Sequence, residues 1–176
     1  MNNLFLKNQT AIVTGASRGI GRAIAIKLAD LGANVAFNYQ SSGEHAASLE
    51  KELTGKGVKA KGSRIDIKNF GEVKGWIETT KAEFGGLDVL VNNAGIIRDK
   101  ALMMMSKDDW QDVIDTNLTG VFNATRACIV TFMKQKKGQV INISSVSGVI
   151  GLPRQVNYSA SKGGINAFTK ALAKEV

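Results

Sequence analysis

The sequence predicts an α/β fold in which a doubly wound parallel sheet is flanked by helices. The first observation is that short β-type runs alternate with amphipathic helical stretches along the whole chain. Strands that are spaced by helices of about 10–15 residues are typical of parallel sheets with right-handed crossovers. The second observation is a glycine-rich turn between the first strand and the first helix. We see no linker, repeat or low-complexity tract, so one domain is expected.

The predicted elements follow each other in strict alternation. Strands are expected at 10–14, 34–38, 58–65, 87–91 and 139–143, and helices at about 19–31, 43–54, 70–84, 110–136 and from 157 onward. A doubly wound dinucleotide-binding (Rossmann-type) fold normally has about six strands. The sequence also stops inside an apolar-periodic helix without a C-cap glycine or proline. We therefore expect residues 1–176 to be a single domain that is incomplete at its C-terminus.

Composition excludes several classes of protein. Hydrophobic residues make up 44% of the chain and charged residues 22%, an ordinary globular mix. The single cysteine, Cys128, lies in an apolar helical run, so we interpret it as a packed core thiol. His45 falls in a polar helical stretch and is expected at the surface. One cysteine and one histidine cannot make a metal cluster, and no metal is expected.

Charge and hydropathy indicate a soluble, cytoplasmic protein. Lys and Arg number 23 against 15 Asp and Glu, a net charge of +8, but the basic residues are dispersed and no nucleic-acid motif accompanies them. We therefore favour a solvated surface over nucleic-acid binding. No segment approaches the ~20 apolar residues that cross a bilayer. Residues 1–7 lack the basic head and apolar stretch of a signal peptide.

The glycine-rich turn predicts a dinucleotide site. The first strand runs into Gly15, Ala16, Ser17, Arg18, Gly19, Ile20 and Gly21, and a helix follows at once. Glycines there let the backbone turn sharply, approach a pyrophosphate, and pack the helix against the strand. All seven residues are assigned to the cofactor site.

The end of the second strand favours NADP(H). An acidic side chain at this place grips the ribose 2′-hydroxyl of NAD and would repel a 2′-phosphate. Here Gln40 and its neighbours are uncharged, and the first acid is Glu44. Arg18 can supply positive charge nearby, and Gln40 is assigned to the same site. The alternative is that Arg18 is an ordinary solvated residue.

Tyr158 and Lys162 are the candidate catalytic pair. At i and i+4 they share one face of the last helix. Tyrosine in water has a pKa near about 10 and is a poor proton donor at neutral pH, but a nearby ammonium favours the phenolate. Ser145 follows the fifth strand, at the edge where such sheets bind ligands, and could hydrogen-bond a carbonyl oxygen. Ser144 and Ser147 leave open an ordinary serine-rich loop.

These motifs, taken together and in order, resemble one family. They are Thr14-Gly15-x-x-x-Gly19-x-Gly21, Asn92-Asn93-Ala94-Gly95, Asn117, Ser145 and Tyr158-x-x-x-Lys162. The chain resembles the classical short-chain dehydrogenase/reductase family over essentially its whole length. More narrowly, 93–99, Asp109-Trp110 and 117–123 are similar to 3-oxoacyl-[acyl-carrier-protein] reductases of fatty-acid synthesis.

The resemblance implies a role for each catalytic position. Tyr158 would donate the proton in the reduction of a carbonyl. Lys162 would favour the ionised form of that tyrosine and hold the nicotinamide ribose. Ser145 would polarise the carbonyl, and Asn117 would position a water in the proton relay behind Lys162. The implied reaction is NADPH-dependent reduction of a 3-oxoacyl thioester.

The resemblance also implies the remaining cofactor contacts. Asn93, Ala94 and Gly95 would line the cofactor cleft, and Tyr158 and Lys162 would also contact the cofactor. Asp66 and Ile67 would flank the adenine, with Asp66 accepting from its amino group; Asp66 could equally cap the end of the third strand. Homodimers or homotetramers are usual in the family.

Some positions depart from the pattern, and alternatives stay open. Met104 stands where acyl-carrier reductases often have arginine, and Arg154 where a small residue is frequent. The methionines at 103–105 could be flexible packing or an acyl-chain contact. The lysines at 134, 136 and 137 could dock an acidic carrier protein or simply be solvated. A reductase of another ketone, sugar or alcohol, and a nucleotide-binding fragment without turnover, are the competing functions.

Overall fold

The sheet of the computed structural model, which describes residues 4–176, is entirely parallel. Its strands are β1 (Thr10–Val13), β2 (Asn34–Tyr39), β3 (Ala60–Arg64), β4 (Val89–Asn92) and β5 (Gln139–Asn142), in the order β3-β2-β1-β4-β5. The chain order reverses between β1 and β4. A crevice therefore opens there at the carboxyl ends of the strands, where doubly wound folds bind ligands. The predicted fold class is confirmed.

The helices cover both faces of this sheet. They are α1 (Gly19–Asp30), α2 (Gly43–Thr54), α3 (Phe70–Phe84), α4 (Lys107–Ile114), α5 (Gly120–Gln135), α6 (Ser147–Ile150) and α7 (Val156–Glu175). A 3₁₀ turn at Leu102–Met104 and the short α6 were not predicted. Within the described residues, no helix has the length and apolar character that a membrane span needs. The prediction that residues 1–7 are not a signal peptide falls partly on residues 1–3, which lie outside the described residues.

The prediction of one continuous helix over 110–136 was wrong. α4 begins earlier, where the Ser106 hydroxyl and the Asp109 carboxylate form a reciprocal capping box. A π-helical segment, Asp115–Thr119, then separates α4 from α5. Such wide turns often occur at functional sites, and this one contains Asn117. Apolar periodicity continues through the segment, so the sequence pattern could not reveal it.

Alternating strand residues build a core on each side of the sheet. On β1, Val13 packs with the cluster under α1 and α2, whereas Ile12 packs with the cluster under α3 and α5. Both are fully buried, as are Phe37 and Leu90 on the neighbouring strands. Burial of such side chains contributes about 1.5–3 kcal/mol each. The two cores hold the carboxyl ends of β1 and β4 in place.

Cys128 and His45 lie where the sequence predicted. Cys128 is fully buried on α5, and burial raises the pKa of its thiol to about 12. A thiol in that environment is unreactive at neutral pH. His45 is exposed on α2, where its carbonyl oxygen accepts from Arg22.

β5 is an edge strand within residues 4–176. It pairs with β4 on one side, and no described strand pairs with its other side. A cleft of about 670 Å³ runs beside it, lined by α5 residues that include Met133 and by α7 residues that include Leu172. Ile141 on β5 is 44% exposed. Strands of parallel sheets are normally buried, so this edge is unusually open.

Candidate active site

The turn between β1 and α1 has the backbone geometry that its glycines permit. Gly15 and Gly19 have φ of 67° and 59°, in the left-handed region that favours glycine. A Cβ on Gly15 would lie 2.8 Å from the Cα of Ala94, whereas a Cβ on Gly19 would meet nothing within 4 Å. The turn therefore packs tightly on the end of β4 and is open on its outer side.

Two asparagines hold this turn. The Oδ1 of Asn38 accepts from the Gly15 amide at 2.9 Å, and its Nδ2 donates to the carbonyl of Ile65 at 2.9 Å. The Nδ2 of Asn93 donates to the carbonyls of Thr14 and Gly15, each at 3.0 Å. Asn38 was predicted only as the end of a strand. A polar, amide-bearing residue ending an otherwise apolar strand was the available signal.

A cleft of about 550 Å³ opens at the switch between β1 and β4. Eleven predicted cofactor residues line it: Gly15, Ser17, Arg18, Gly19, Ile20, Gln40, Asp66, Ile67, Asn93, Ala94 and Gly95. Ser41, Ser42, Lys68 and Thr116 also line it and were not predicted. Ala16 and Gly21 do not line the cleft; they are buried beneath it, where small size allows α1 to approach β1. Tyr158 and Lys162, which were also predicted to contact the cofactor, are not among the residues that line it.

The cleft fits a dinucleotide on structural grounds. Arg18, the N-cap residue of α1, makes no side-chain capping bond, and the first turn of α1 contains no acidic residue. The backbone N–H groups of that turn are thus left for an anionic ligand, which the helix dipole also favours. The open space above Gly19 leaves room for a pyrophosphate to approach the backbone.

Asp66 makes a local hydrogen bond after β3, as expected if it caps the end of that strand. Its Oδ1 accepts from the backbone N–H of Lys68 at 3.0 Å, and its own N–H donates to Glu72. The residue also lines the cleft. Because a carboxylate has several acceptor positions, this turn contact leaves Oδ2 for a further donor. Its predicted contact with adenine stays a prediction.

The Tyr158–Lys162 pair lies on α7, against the segment that follows β5. The Lys162 ammonium donates to the carbonyl of Ile143 at 2.7 Å and lies 5.7 Å from the centroid of the Tyr158 ring. The Ser144 hydroxyl donates to the Lys162 carbonyl at 3.1 Å. Lys162 is only 4% exposed, and burial lowers the pKa of its ammonium. This packing fixes α7 against the loop that contains Ser145.

Asn117 is buried and joins the cofactor cleft to α7. Its Oδ1 accepts from the Ile96 amide at 2.8 Å, and its Nδ2 donates to the Ile96 carbonyl at 3.0 Å and to the Ser161 hydroxyl at 3.1 Å. Both amide protons are used, so the side chain holds the segment at Ile96 against Ser161 on α7. Ile96 itself lines the cleft. The water-positioning role of Asn117 stays a prediction.

The positions that depart from the family pattern lie mostly at the surface. Met103 and Met104 are 90% and 70% exposed, so they are not core packing. Arg154 has φ of 67°, a conformation that costs a non-glycine residue about 1–2 kcal/mol. Glycine, which has no Cβ, would suit that turn better. Lys137 forms a surface ion pair with Asp88 at 2.8 Å.

A glycine-lined cleft that fits a dinucleotide is connected through Asn117 to α7, the helix that contains a tyrosine–lysine pair. This is the arrangement of a nicotinamide-dependent oxidoreductase. The sequence pattern of the family described as short chain dehydrogenase matches residues 9–176, and the chain belongs to this family. It is therefore an oxidoreductase that acts on CH–OH or C=O groups with a nicotinamide cofactor.

Within this family, the chain is similar to several named proteins. The chain is 48% identical to the 3-oxoacyl-[acyl-carrier-protein] reductase FabG of Staphylococcus aureus, over 96% of this chain and 68% of the relative. It is 49% identical to the 3-oxoacyl-[acyl-carrier-protein] reductase of Synechocystis, over 97% and 69%. A crystal structure described as a short-chain alcohol dehydrogenase of Sinorhizobium meliloti superposes with a TM-score of 0.93 at 33% identity, covering 98% of this chain and 68% of that one.

Proposed function

We propose that this chain catalyses the NADPH-dependent reduction of a 3-oxoacyl thioester, carried by acyl carrier protein, to the 3-hydroxyacyl form. The observation that carries the proposal is the docking of Lys162 on Ile143, at 2.7 Å, which holds α7 beside the Ser145 loop. The similarity to two named 3-oxoacyl-[acyl-carrier-protein] reductases supports the substrate class. A homodimer or homotetramer and a cytoplasmic setting belong to the same proposal.

In this mechanism the chain positions a carbonyl and supplies a proton. The Ser145 hydroxyl donates a hydrogen bond to the carbonyl oxygen and so favours negative charge there. The Tyr158 hydroxyl donates its proton to that oxygen, and the nearby Lys162 ammonium stabilises the phenolate left behind. The glycine turn and Asn93 would hold NADPH, which would supply the hydride when bound.

A reductase of another small ketone or alcohol is the second candidate. The match to a structure described as a short-chain alcohol dehydrogenase favours it, as does Met104, which is uncharged where acyl-carrier reductases often have arginine. NADPH oxidation at 340 nm with acetoacetyl thioesters and with simple ketones distinguishes the two. Faster turnover of simple ketones would contradict the leading proposal. No turnover of either would indicate a nucleotide-binding fragment.

Tyr158→Phe tests the proton donor. The variant keeps the aromatic ring, so NADPH should still bind, whereas turnover should fall by ~10²–10⁴ because a positioned general acid is lost. Fluorescence titration of NADPH and steady-state rates give the two readouts. If the variant turns over near the wild-type rate, Tyr158 is not the proton donor.

A further inference from the structure

A chain of hydrogen bonds runs from Ser145 across the mouth of the site. The Ser147 amide donates to the Ser145 Oγ at 3.2 Å, and the Ser147 hydroxyl donates to the Oε1 of Gln155 at 3.0 Å. The Nε2 of Gln155 then donates to the Oδ2 of Asp99 at 2.8 Å. The chain connects three segments: the loop after β5, the start of α7 and the loop after β4.

The donors and acceptors determine the direction of this chain of hydrogen bonds. An ionised carboxylate only accepts hydrogen bonds, so Asp99 selects the Nε2 end of the Gln155 amide. Oε1 must therefore face Ser147, whose hydroxyl becomes the donor. Ser147 is 4% exposed, which leaves its side chain little access to water. The contact of this hydroxyl with Gln155 helps to hold Ser147, whose backbone N–H reaches Ser145, in place.

The same residue is fixed to the helix of Tyr158. Gln155 is the N-cap residue of α7, and its carbonyl accepts from the Ser159 amide at 2.7 Å. The Asp99 loop is held alongside, because the Lys100 amide donates to the Arg154 carbonyl at 2.9 Å. A shift of the Gln155 side chain would therefore move the Ser145 loop relative to α7.

We propose that Gln155 is a positioning residue that sets the Ser145 hydroxyl relative to Tyr158; this role rests on the proposed function. With the Ser147 N–H bound to its oxygen, Ser145 directs its own proton toward the substrate oxygen. Gln155 acts through Ser147 and Asp99 and does not itself transfer a proton. Its replacement should reduce kcat and leave substrate and NADPH affinity unchanged.

Gln155→Glu is the most direct test. Glutamate has nearly the same shape and still accepts from Ser147, but it presents a carboxylate to Asp99 in place of the donor. We expect kcat to fall about 10- to 100-fold, since a misplacement near 1 Å costs about 10²-fold in rate. Adding Asp99→Asn places an amide donor opposite the new carboxylate at position 155, so the hydrogen bond forms again in the opposite direction. This double variant should recover most of the lost kcat.

Gln111→Glu is the matched control. The Nε2 of Gln111 on α4 also donates to an aspartate, Asp115, at 2.8 Å, but at an exposed contact with the start of the π-helical segment. This variant creates the same pair of carboxylates away from Ser145 and should keep the wild-type kcat. A fall in kcat as large as that of Gln155→Glu would show a general charge effect and overturn the proposal.

The remaining outcomes are equally decisive. Wild-type kcat in Gln155→Glu, or a double variant that stays as slow as the single one, would overturn the role of Gln155. A rise in KM without a fall in kcat would make Gln155 a substrate contact instead. A wild-type chain that reduces no carbonyl compound would contradict the proposed function, and this role with it.

Discussion

Arg18 lies at the edge of the cofactor cleft, exposed, between Gly15 and the first turn of α1. It shares the cleft wall with Gln40, Ser41 and Ser42, the uncharged residues that follow β2. A guanidinium in the same cleft as residues 40–42, none of which is acidic, favours a 2′-phosphate over a 2′-hydroxyl. We therefore expect the preference between NADPH and NADH to depend on Arg18 and on the absence of an acidic residue directly after β2.

Arg18→Ala should reduce the preference for NADPH. We expect NADPH binding to weaken by about 1–3 kcal/mol, the range of a hydrogen bond to a charged group, while NADH binding stays the same. Fluorescence titration of both reduced cofactors measures the change. Lys27→Ala removes the same charge from an exposed position at the other end of α1 and should have no effect. Tighter binding of NADH than NADPH by the wild-type chain would refute the prediction.

At the scale of elements, the close approach of α1 to β1 depends on Gly21. A Cβ at this position would lie 2.4 Å from the Asn93 Nδ2 and 2.6 Å from the Gly15 carbonyl oxygen. Asn93 uses that same amide to hold Thr14 and Gly15. A larger residue at 21 would thus disturb the helix packing and the glycine turn together.

Gly21→Ala and Gly75→Ala should have opposite effects on stability. Gly21→Ala should destabilise the chain by about 1–3 kcal/mol because it overpacks a tight contact, and it should weaken NADPH binding. Gly75 is exposed within α3, and a Cβ there would meet nothing within 4 Å. Alanine at that position should stabilise by about 0.5–1 kcal/mol. Urea unfolding measures both, and a neutral Gly21→Ala would contradict the packing argument.

At the scale of the whole molecule, β5 has one open edge within residues 4–176. Its unpaired backbone groups lie beside apolar side chains of α5, including Met133, which is 57% exposed. An exposed strand edge with apolar flanks is a template for pairing with another chain. This surface lies away from the cofactor cleft.

We expect the 176-residue chain to self-associate through the edge of β5. Ile141→Lys should reduce the association, because it places a charge on the exposed edge strand. Light scattering coupled to size-exclusion chromatography, at several protein concentrations, measures the effect. Leu102→Lys, at a side chain that is 70% exposed on the 3₁₀ turn, is the control and should leave the association unchanged. A wild-type chain that is monomeric at every concentration would contradict this prediction.

The features that local pattern could predict were the strands, the glycine turn and the Tyr158–Lys162 pair. Each depends on residues close together in the chain: alternation and apolar runs for strands, backbone freedom for Gly15 and Gly19, and one helical turn for the pair. Family resemblance added Asn93 and Asn117 by position. None of these required knowledge of which segments meet.

The features that escaped prediction depend on contacts between distant segments. The π-helical turn is stabilised where Asn117 reaches Ile96, 21 residues away. Asn38 acts on a turn 23 residues earlier, and Gln155 on a loop 56 residues earlier. Hydrophobic periodicity carries no information about such partners.

The sequence alone therefore determined the fold class and the identity of the chemical groups, because backbone propensity and residue chemistry are local properties. The tertiary structure decided how those groups are used. It buried Lys162 against the Ile143 carbonyl, turned Asn117 into a brace, and connected Ser145 to Asp99 through Ser147 and Gln155. The physical reason is that hydrogen-bond partners and burial depend on where the packed helices and strands bring distant segments together.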